Sequence, residues 1–129
     1  MLLTNSMDTG LETIYKEYIL DLYRNPKNKK KIEEATFGAH KNNPTCGDDL
    51  TIYIKVGDDK IIDVGFEGVG CAISQASASL FTEQIKHKSL DEVKQMNDAD
   101  VLGLLGIDVG INREKCALLI FRTFQESIK

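Results

Sequence analysis

The chain has 129 residues, of which 42% are hydrophobic and 28% charged, and its formal net charge is −4. These values are ordinary for a globular protein, and the length suits one domain around a single core. The negative charge argues against a nucleic-acid surface, which is usually basic; no apolar run approaches the ~20 residues of a membrane span, and no signal peptide is evident. We therefore expect a single cytoplasmic domain, residues 1–129, without nucleic-acid or membrane partners.

The first helix is predicted to begin after residues 1–8, which we expect to be a flexible lead-in. Thr9 and Glu12 fit a capping box. Pro26 is expected to end this helix near Asn25. The basic run over residues 27–31 predicts a solvated loop and the start of a helix. The apolar residues at helical spacing in the first helix are Leu11, Ile14, Tyr15, Tyr18, Ile19 and Leu22.

Strands are predicted in the middle of the chain. Residues 36–40 predict a short edge strand, residues 50–56 a half-buried strand with period-two alternation, and residues 57–60 a turn. Residues 61–67 then form the return strand. The apolar faces are predicted to be Leu50, Ile52, Ile54 and Val56 on the first long strand, and Ile62, Val64 and Phe66 on the return strand.

Helices are predicted in the second half. An apolar stripe covers residues 72–87, and Ser89 with Glu92 forms a capping box that opens a short helix through Met96. A further short helix ends at Gly106, and an amphipathic helix runs through the C-terminal residues. Strands followed by helices indicate an α+β fold rather than a wound parallel sheet.

The three cysteines, Cys46, Cys71 and Cys116, are the strongest candidates for a chemical site. In a cytosolic protein, cysteines more often serve metals or catalysis than disulfides, and an odd number leaves one thiol over. Asp48 lies two residues after Cys46. Three thiolates and one carboxylate suit tetrahedral zinc or a two-iron cluster.

The hairpin predicts which cysteines meet. If Val56 pairs with Ile61, the same register extended outward places Cys46 opposite Cys71. Directly opposed residues of an antiparallel pair lie about 4.5–5.5 Å apart. We therefore expect these two cysteines at the open end of one hairpin.

The cysteines are also expected to favour the thiolate form. Cys71 and Cys116 each begin a predicted helix, whose N-terminus lowers thiol pKa, and Arg113 and Lys115 add positive charge near Cys116. The alternative is that the cysteines are small buried hydrophobic residues, as free cysteines often are.

Longer motifs resemble a known family. The strings Asn43–Asp48 (NPTCGD) and Gly68–Ser79 (GVGCAISQASAS) are similar to those of the U-type iron–sulfur cluster assembly scaffold family, which includes IscU, SufU and the N-terminal domain of NifU. The resemblance covers nearly the whole chain, from the first helix, where Tyr15 through Asn28 resembles the family's tyrosine and Asn-Pro segment, to the helix after Cys116.

The resemblance implies a fold and a function. Family members have a three-stranded antiparallel sheet packed against helices, four to five of them here (a SufE/NifU-like fold). They accept persulfide sulfur from a cysteine desulfurase and iron from a donor, assemble a transient [2Fe-2S] cluster, and pass it to apo-proteins or carriers. The implied ligands are Cys46, Asp48, Cys71 and Cys116, and many members bind zinc at the same residues.

The resemblance also implies roles for single residues. Cys116 and Cys46 are both candidate persulfide acceptors, supported by Arg113 and Lys115. Asp48 would be the weaker, labile ligand. The protein would be a scaffold rather than an enzyme; the alternative is a zinc-dependent sulfurtransferase of the SufU type that relays persulfide. The third alternative is a binding domain in which zinc has only a structural role.

This sequence departs from the motifs of the family's branches, and these differences affect which partner proteins are expected. The Leu-Pro-Pro-Val-Lys motif of the IscU branch is missing, and Lys115 occupies the position of its histidine, so dependence on an Hsp70-type chaperone is not expected. The Asn-Pro-Thr-Cys motif and the spacing of Arg113 and Cys116 resemble SufU. Cys71 and Cys116 are only 45 positions apart, which leaves no room for the SufU insertion.

Overall fold

The computed structural model describes residues 2–129, with side chains from residue 13 onward. A three-stranded antiparallel sheet, in the order β1-β2-β3, packs against helices, which confirms the predicted α+β class. The elements are α1 (Leu2–Arg24), β1 (Phe37–Asn43), β2 (Asp48–Gly57), β3 (Lys60–Val69), α2 (Ala72–Ile85), α3 (Leu90–Lys94), α4 (Asp98–Gly103) and α5 (Glu114–Ser127), with a 3-10 turn, Ile111–Arg113, directly before α5.

The hydrophobic core lies between the sheet and helices α2 and α5. The predicted inner face of β2 is confirmed, since Leu50, Ile52 and Ile54 are fully buried there. On the helical side, Phe81 of α2 packs edge-to-face on Phe121 and Phe124 of α5, with ring centroids 5.7 and 5.6 Å apart, a favoured aromatic geometry. Helix α1 packs outside this layer, on α2.

A bulge in β3 changes the predicted register. Val56 pairs with Ile61 as expected, but Lys55 pairs with Asp63, so Ile62 is an extra residue in β3. Every pair beyond it shifts by one, and Leu50 lies opposite Gly68 rather than Glu67. Because a one-residue shift reverses the faces of a strand, Ile61 is buried and Ile62 is exposed. The prediction that Ile62 belongs to the apolar face is therefore wrong.

The predicted turn between these strands is confirmed. Gly57 pairs with Lys60, and the two residues between them, Asp58 and Asp59, have φ of 53° and 65°. Positive φ at both loop residues is typical of the type I′ turn, whose twist matches that of the flanking strands.

Helix α1 begins earlier than predicted. It starts at Leu2, so residues 2–8 are helical rather than a lead-in, and Thr9 is an interior residue rather than a cap. The segment before Thr9 contains neither Gly nor Pro, and an established helix gains a hydrogen bond for each residue added. Among its described apolar side chains, Ile19 and Leu22 are buried, whereas Ile14 and its neighbouring tyrosines remain exposed.

The basic run after α1 is a loop with exposed lysines, as predicted, but no helix starts there. The Lys27 N–H donates to Ser79 Oγ (3.1 Å), and the Asn28 side chain donates to Thr82 Oγ1 (3.1 Å). Both acceptors are buried on α2, where polar groups require partners. The segment therefore satisfies the polar face of α2 and fixes that helix in place.

Capping residues define the short helices. The predicted box of Ser89 and Glu92 is present at α3, although that helix ends before Met96. Asn97 and Asp100 form a second box, which starts α4 earlier than its apolar residues indicate.

No helix within residues 2–129 has the length and apolar character needed to cross a membrane.

Two adjacent isoleucines test the bulge. We expect Ile61→Ala to lower the free energy of unfolding by about 2–5 kcal/mol, because this side chain is 0% exposed. Ile62→Ala should cost less than about 1 kcal/mol, because Ile62 is 48% exposed. Urea unfolding followed by circular dichroism measures both values. Equal losses, or a larger loss in Ile62→Ala, would contradict the register.

Candidate metal centre

Cys46 lies in the loop that joins β1 to β2. Asn43 and Asp48 pair across the ends of the two strands, and the carbonyl oxygen of Asn43 accepts the N–H groups of Cys46 (3.2 Å) and Gly47 (2.9 Å). Gly47 has a φ of 72°, which glycine adopts without strain. The loop therefore closes tightly and presents an exposed Cys46.

Asp48 lies beneath this loop as the first residue of β2 and is 1% exposed. Its Oδ1 accepts the backbone N–H of Cys71 at 2.9 Å, whereas its Oδ2 has no hydrogen-bond partner among the described residues. A buried carboxylate oxygen without a partner is costly. A cation held beside it would therefore supply the missing partner.

Gly70 allows the carboxylate to approach α2. A Cβ atom at this position would lie 2.2 Å from Ser74 Oγ and 2.7 Å from Asp48 Oδ1. Both distances are shorter than real contacts, so a side chain at Gly70 would displace Asp48 or Ser74. The glycine before Cys71 thus allows the close approach of strand and helix.

The other two cysteines come from helix N-termini, as predicted. Cys71 is the N-cap of α2 and is exposed. Cys116 lies in the first turn of α5, where it is only 2% exposed. Its thiol donates to Cys46 Sγ, and the two sulfur atoms are 2.9 Å apart.

The structure brings three predicted ligands into one cluster. Ligand atoms of Cys46, Asp48 and Cys116 all lie within 4.8 Å of one another. Cys71 lies outside this group, although it lines the same cavity of about 510 Å³ as Cys46 and Cys116. The prediction that strand register pairs Cys46 with Cys71 is wrong, because the bulge in β3 shifts the pairing and the strands end before either cysteine.

The expectation of a thiolate at Cys116 is wrong for the metal-free protein. Burial, the hydrogen bond with Cys46, and the nearby Asp48 carboxylate and Cys71 all raise the pKa of the Cys116 thiol. Arg113 is exposed and lines the cavity, whereas Lys115 is exposed and is not among the lining residues. Neither cation compensates a buried sulfur, so a bound metal ion would have to displace the proton.

The donor set suits a soft metal centre. Three thiolates and a carboxylate match tetrahedral zinc, and thiolate-rich sets hold two-iron clusters. The unpartnered Asp48 Oδ2 supports this fit, because a cation would satisfy it. The cavity extends beyond the cluster, and most of its other lining residues are apolar.

The walls of the cavity were not predicted from the sequence. Ile19 and Leu20 of α1 form one wall, and Ile107 and Val109 of the segment before the 3-10 turn form another. Lys16 and Asp108 add charge at the lining. The apolar stripe of α1 was the available sequence signal for this wall, but a stripe does not reveal which element of the fold it faces.

Comparison with known proteins places this geometry in context. The sequence matches the NifU-like N-terminal domain family over residues 14–129. The zinc-dependent sulfurtransferase SufU of Bacillus subtilis (strain 168) is 33% identical over 140 residues, covering 95% of this chain and 95% of that protein. The iron–sulfur cluster assembly scaffold protein IscU of Thermotoga maritima is 33% identical over 132 residues, covering 90% of this chain and 93% of that protein.

A solved structure shares the fold. The crystal structure of an iron–sulfur cluster assembly scaffold protein for the SUF system from Fervidobacterium islandicum AW-1 superposes with a TM-score of 0.75 at 34% identity, covering 91% of this chain and 98% of that chain.

Thiol labelling tests the asymmetry of the cysteines. In metal-free, reduced protein at neutral pH, we expect iodoacetamide to label Cys116 at least about tenfold more slowly than Cys46, because raising a thiol pKa by one lowers its thiolate fraction about tenfold. Labelling of Cys116 should keep accelerating at pH values above those of a free cysteine. Peptide mass spectrometry gives the site-specific rates; equal rates at neutral pH would refute the raised pKa.

Proposed function

Because this chain belongs to the NifU-like N-terminal domain family, we propose that it is an iron–sulfur cluster assembly scaffold, which builds a [2Fe-2S] cluster and passes it to apo-proteins. The observation that carries the proposal is the convergence of Cys46, Asp48 and Cys116 within 4.8 Å, next to a cavity that Cys46, Cys71 and Cys116 all line. In this proposal, these four residues are the ligands.

Burial suggests different roles for the ligands. Cys116 is enclosed by the core and would be the fixed anchor, whereas Cys46 and Cys71 are exposed and accessible to incoming and outgoing groups. Asp48 would be the labile ligand, because a carboxylate is a harder and weaker ligand than a thiolate for iron–sulfur centres. When the cluster leaves, Asp48 keeps its hydrogen bond from the Cys71 N–H.

Sulfur would arrive as a persulfide on a cysteine desulfurase. A thiolate of the scaffold attacks the outer sulfur of that persulfide; a new S–S bond forms on the scaffold as the partner's S–S bond breaks, and the partner's cysteine leaves as a thiolate. Cys46 and Cys116 remain the candidate persulfide acceptors, and Cys46 is favoured because it is exposed. Arg113, at the cavity lining, would attract the anionic persulfide, with Lys115 in a lesser role.

The proposal also includes the protein's partners and its cellular location. Besides the desulfurase, the scaffold would meet an iron donor and apo-proteins or carriers that take the cluster. It would act in the cytoplasm as one domain and would not be an enzyme in the strict sense.

A second function is a zinc-dependent sulfurtransferase that relays persulfide. Its support is the similarity to SufU of Bacillus subtilis, which is named as such an enzyme, together with a donor set that suits tetrahedral zinc. Zinc would then hold the thiolates, and exchange of one ligand would free a sulfur to attack the persulfide.

Anaerobic reconstitution separates the two functions. Metal-free protein is incubated with ferrous iron, cysteine and a desulfurase, and absorption and Mössbauer spectra are recorded. The scaffold proposal expects [2Fe-2S] bands and transfer to an apo-ferredoxin. Tight zinc, stimulated desulfurase turnover and no cluster would instead establish the sulfurtransferase.

Asp48→Ala tests the labile ligand. Removing this carboxylate lowers the negative charge around the cluster and removes the acceptor of the Cys71 N–H in the emptied site. We expect cluster transfer to slow by roughly tenfold, which corresponds to about 1.4 kcal/mol in the barrier.

Asp49→Ala is the matched control for this test. Asp49 is the adjacent carboxylate, and it accepts from His40 on the edge strand at 2.6 Å. Transfer from Asp49→Ala should match the wild type when followed by circular dichroism of the acceptor. Unchanged or faster transfer from Asp48→Ala would exclude the labile role.

A further inference from the structure

Asn43 connects the two cysteines whose sulfur atoms are in contact. It is the last residue of β1 and is only 7% exposed. Its backbone carbonyl closes the Cys46 loop, while its side-chain Nδ2 points at Cys116 Sγ from 4.0 Å. One residue thus fixes Cys46 through its backbone and faces Cys116 through its carboxamide.

The hydrogen-bond directions around Cys116 are consistent with this orientation. The Cys116 sulfur shares a hydrogen bond with Cys46 Sγ, and the Asn43 side-chain N–H donates to the same sulfur. The lone pairs of the Cys116 sulfur are therefore the groups available to the Asn43 amide. A contact of 4.0 Å to a neutral thiol is weak, but a thiolate is a stronger acceptor and draws its donors closer.

Cys116 lies where a charge on sulfur has little compensation. Its side chain is buried within 4.8 Å of the Asp48 carboxylate, and Arg113 is exposed. A neutral amide donor can stabilise such a sulfur without introducing a further charge. Hydrogen bonds to metal ligands from surrounding residues orient those ligands and tune the metal.

We propose that Asn43 is a positioning residue of the metal centre, whose side-chain amide orients the Cys116 sulfur and donates a hydrogen bond to it when it ligates metal. This inference rests on the proposed function in one respect, which is that Cys116 ligates metal. Asn43 is the first residue of the Asn-Pro-Thr-Cys motif. Its side chain thus has a role separate from that of its backbone carbonyl, which closes the loop.

Substitution at position 43 isolates the side chain. Every residue retains the backbone carbonyl that accepts from Cys46 and Gly47, so Asn43→Leu removes the amide while keeping the same number and branching of side-chain heavy atoms. Asn43→Ser is a second variant, polar but too short to reach Cys116. Asn42→Leu is the matched control, because Asn42 is the preceding, exposed residue of the same strand.

Cobalt(II) is the probe, because its sulfur-to-cobalt charge-transfer band reports the thiolate ligands. Metal-free protein is titrated with cobalt without oxygen, and zinc affinity is measured by competition. We expect Asn43→Leu and Asn43→Ser to bind both metals roughly 10–100-fold more weakly, with a shifted charge-transfer band. Asn42→Leu should match the wild type in affinity and band.

The outcomes separate this inference from the proposed function. Unchanged affinity and band in both Asn43 variants, with tight binding by the wild type, would overturn the role of Asn43 and leave the metal centre intact. Failure of the wild type to bind cobalt or zinc would overturn both. If one variant fails to fold in thermal unfolding of the metal-free protein, the other decides.

Discussion

The hydrogen bond from the Cys71 N–H to Asp48 Oδ1, 2.9 Å long, is the contact on which the arrangement of the site depends. It joins the first residue of β2 to the N-cap of α2, where a carboxylate also interacts favourably with the helix dipole. The bond requires Gly70, because a Cβ there would collide with Asp48 and Ser74. Sheet and helix thereby bring Asp48 against Cys71, which lines the cavity, while Asp48 Oδ2 is left without a hydrogen-bond partner among the described residues.

The site combines a rigid interior with an exposed edge. Cys116 is held by α5 within the core, and Asp48 is enclosed at the start of β2, whereas Cys46 and Cys71 remain exposed. Buried donors provide a fixed geometry, and exposed donors provide access for exchange. This division suits a centre that is loaded and emptied better than one that holds a permanent metal.

Much of the fold could be predicted from the sequence, because hydrophobic periodicity and helix caps depend on residues that are close together in the chain. The inner face of β2 and the cap at Cys71 followed from them. The bulge at Ile62 could not be predicted, since it depends on how β3 packs against the helices. The high pKa of Cys116 depends on burial by distant elements, which outweighed the helix N-terminus. The placement of the Asn43 amide likewise needs the position of α5.

The most direct test of the account is the number of sulfur ligands around a bound metal. X-ray absorption fine structure of the zinc-loaded protein should show three sulfur atoms at about 2.3 Å and one oxygen at about 2.0–2.2 Å. Cys71, which lies outside the cluster of Cys46, Asp48 and Cys116, must then close on the metal, and Cys71→Ser should leave two sulfur atoms. Two sulfur ligands in the wild type would contradict the four-residue site.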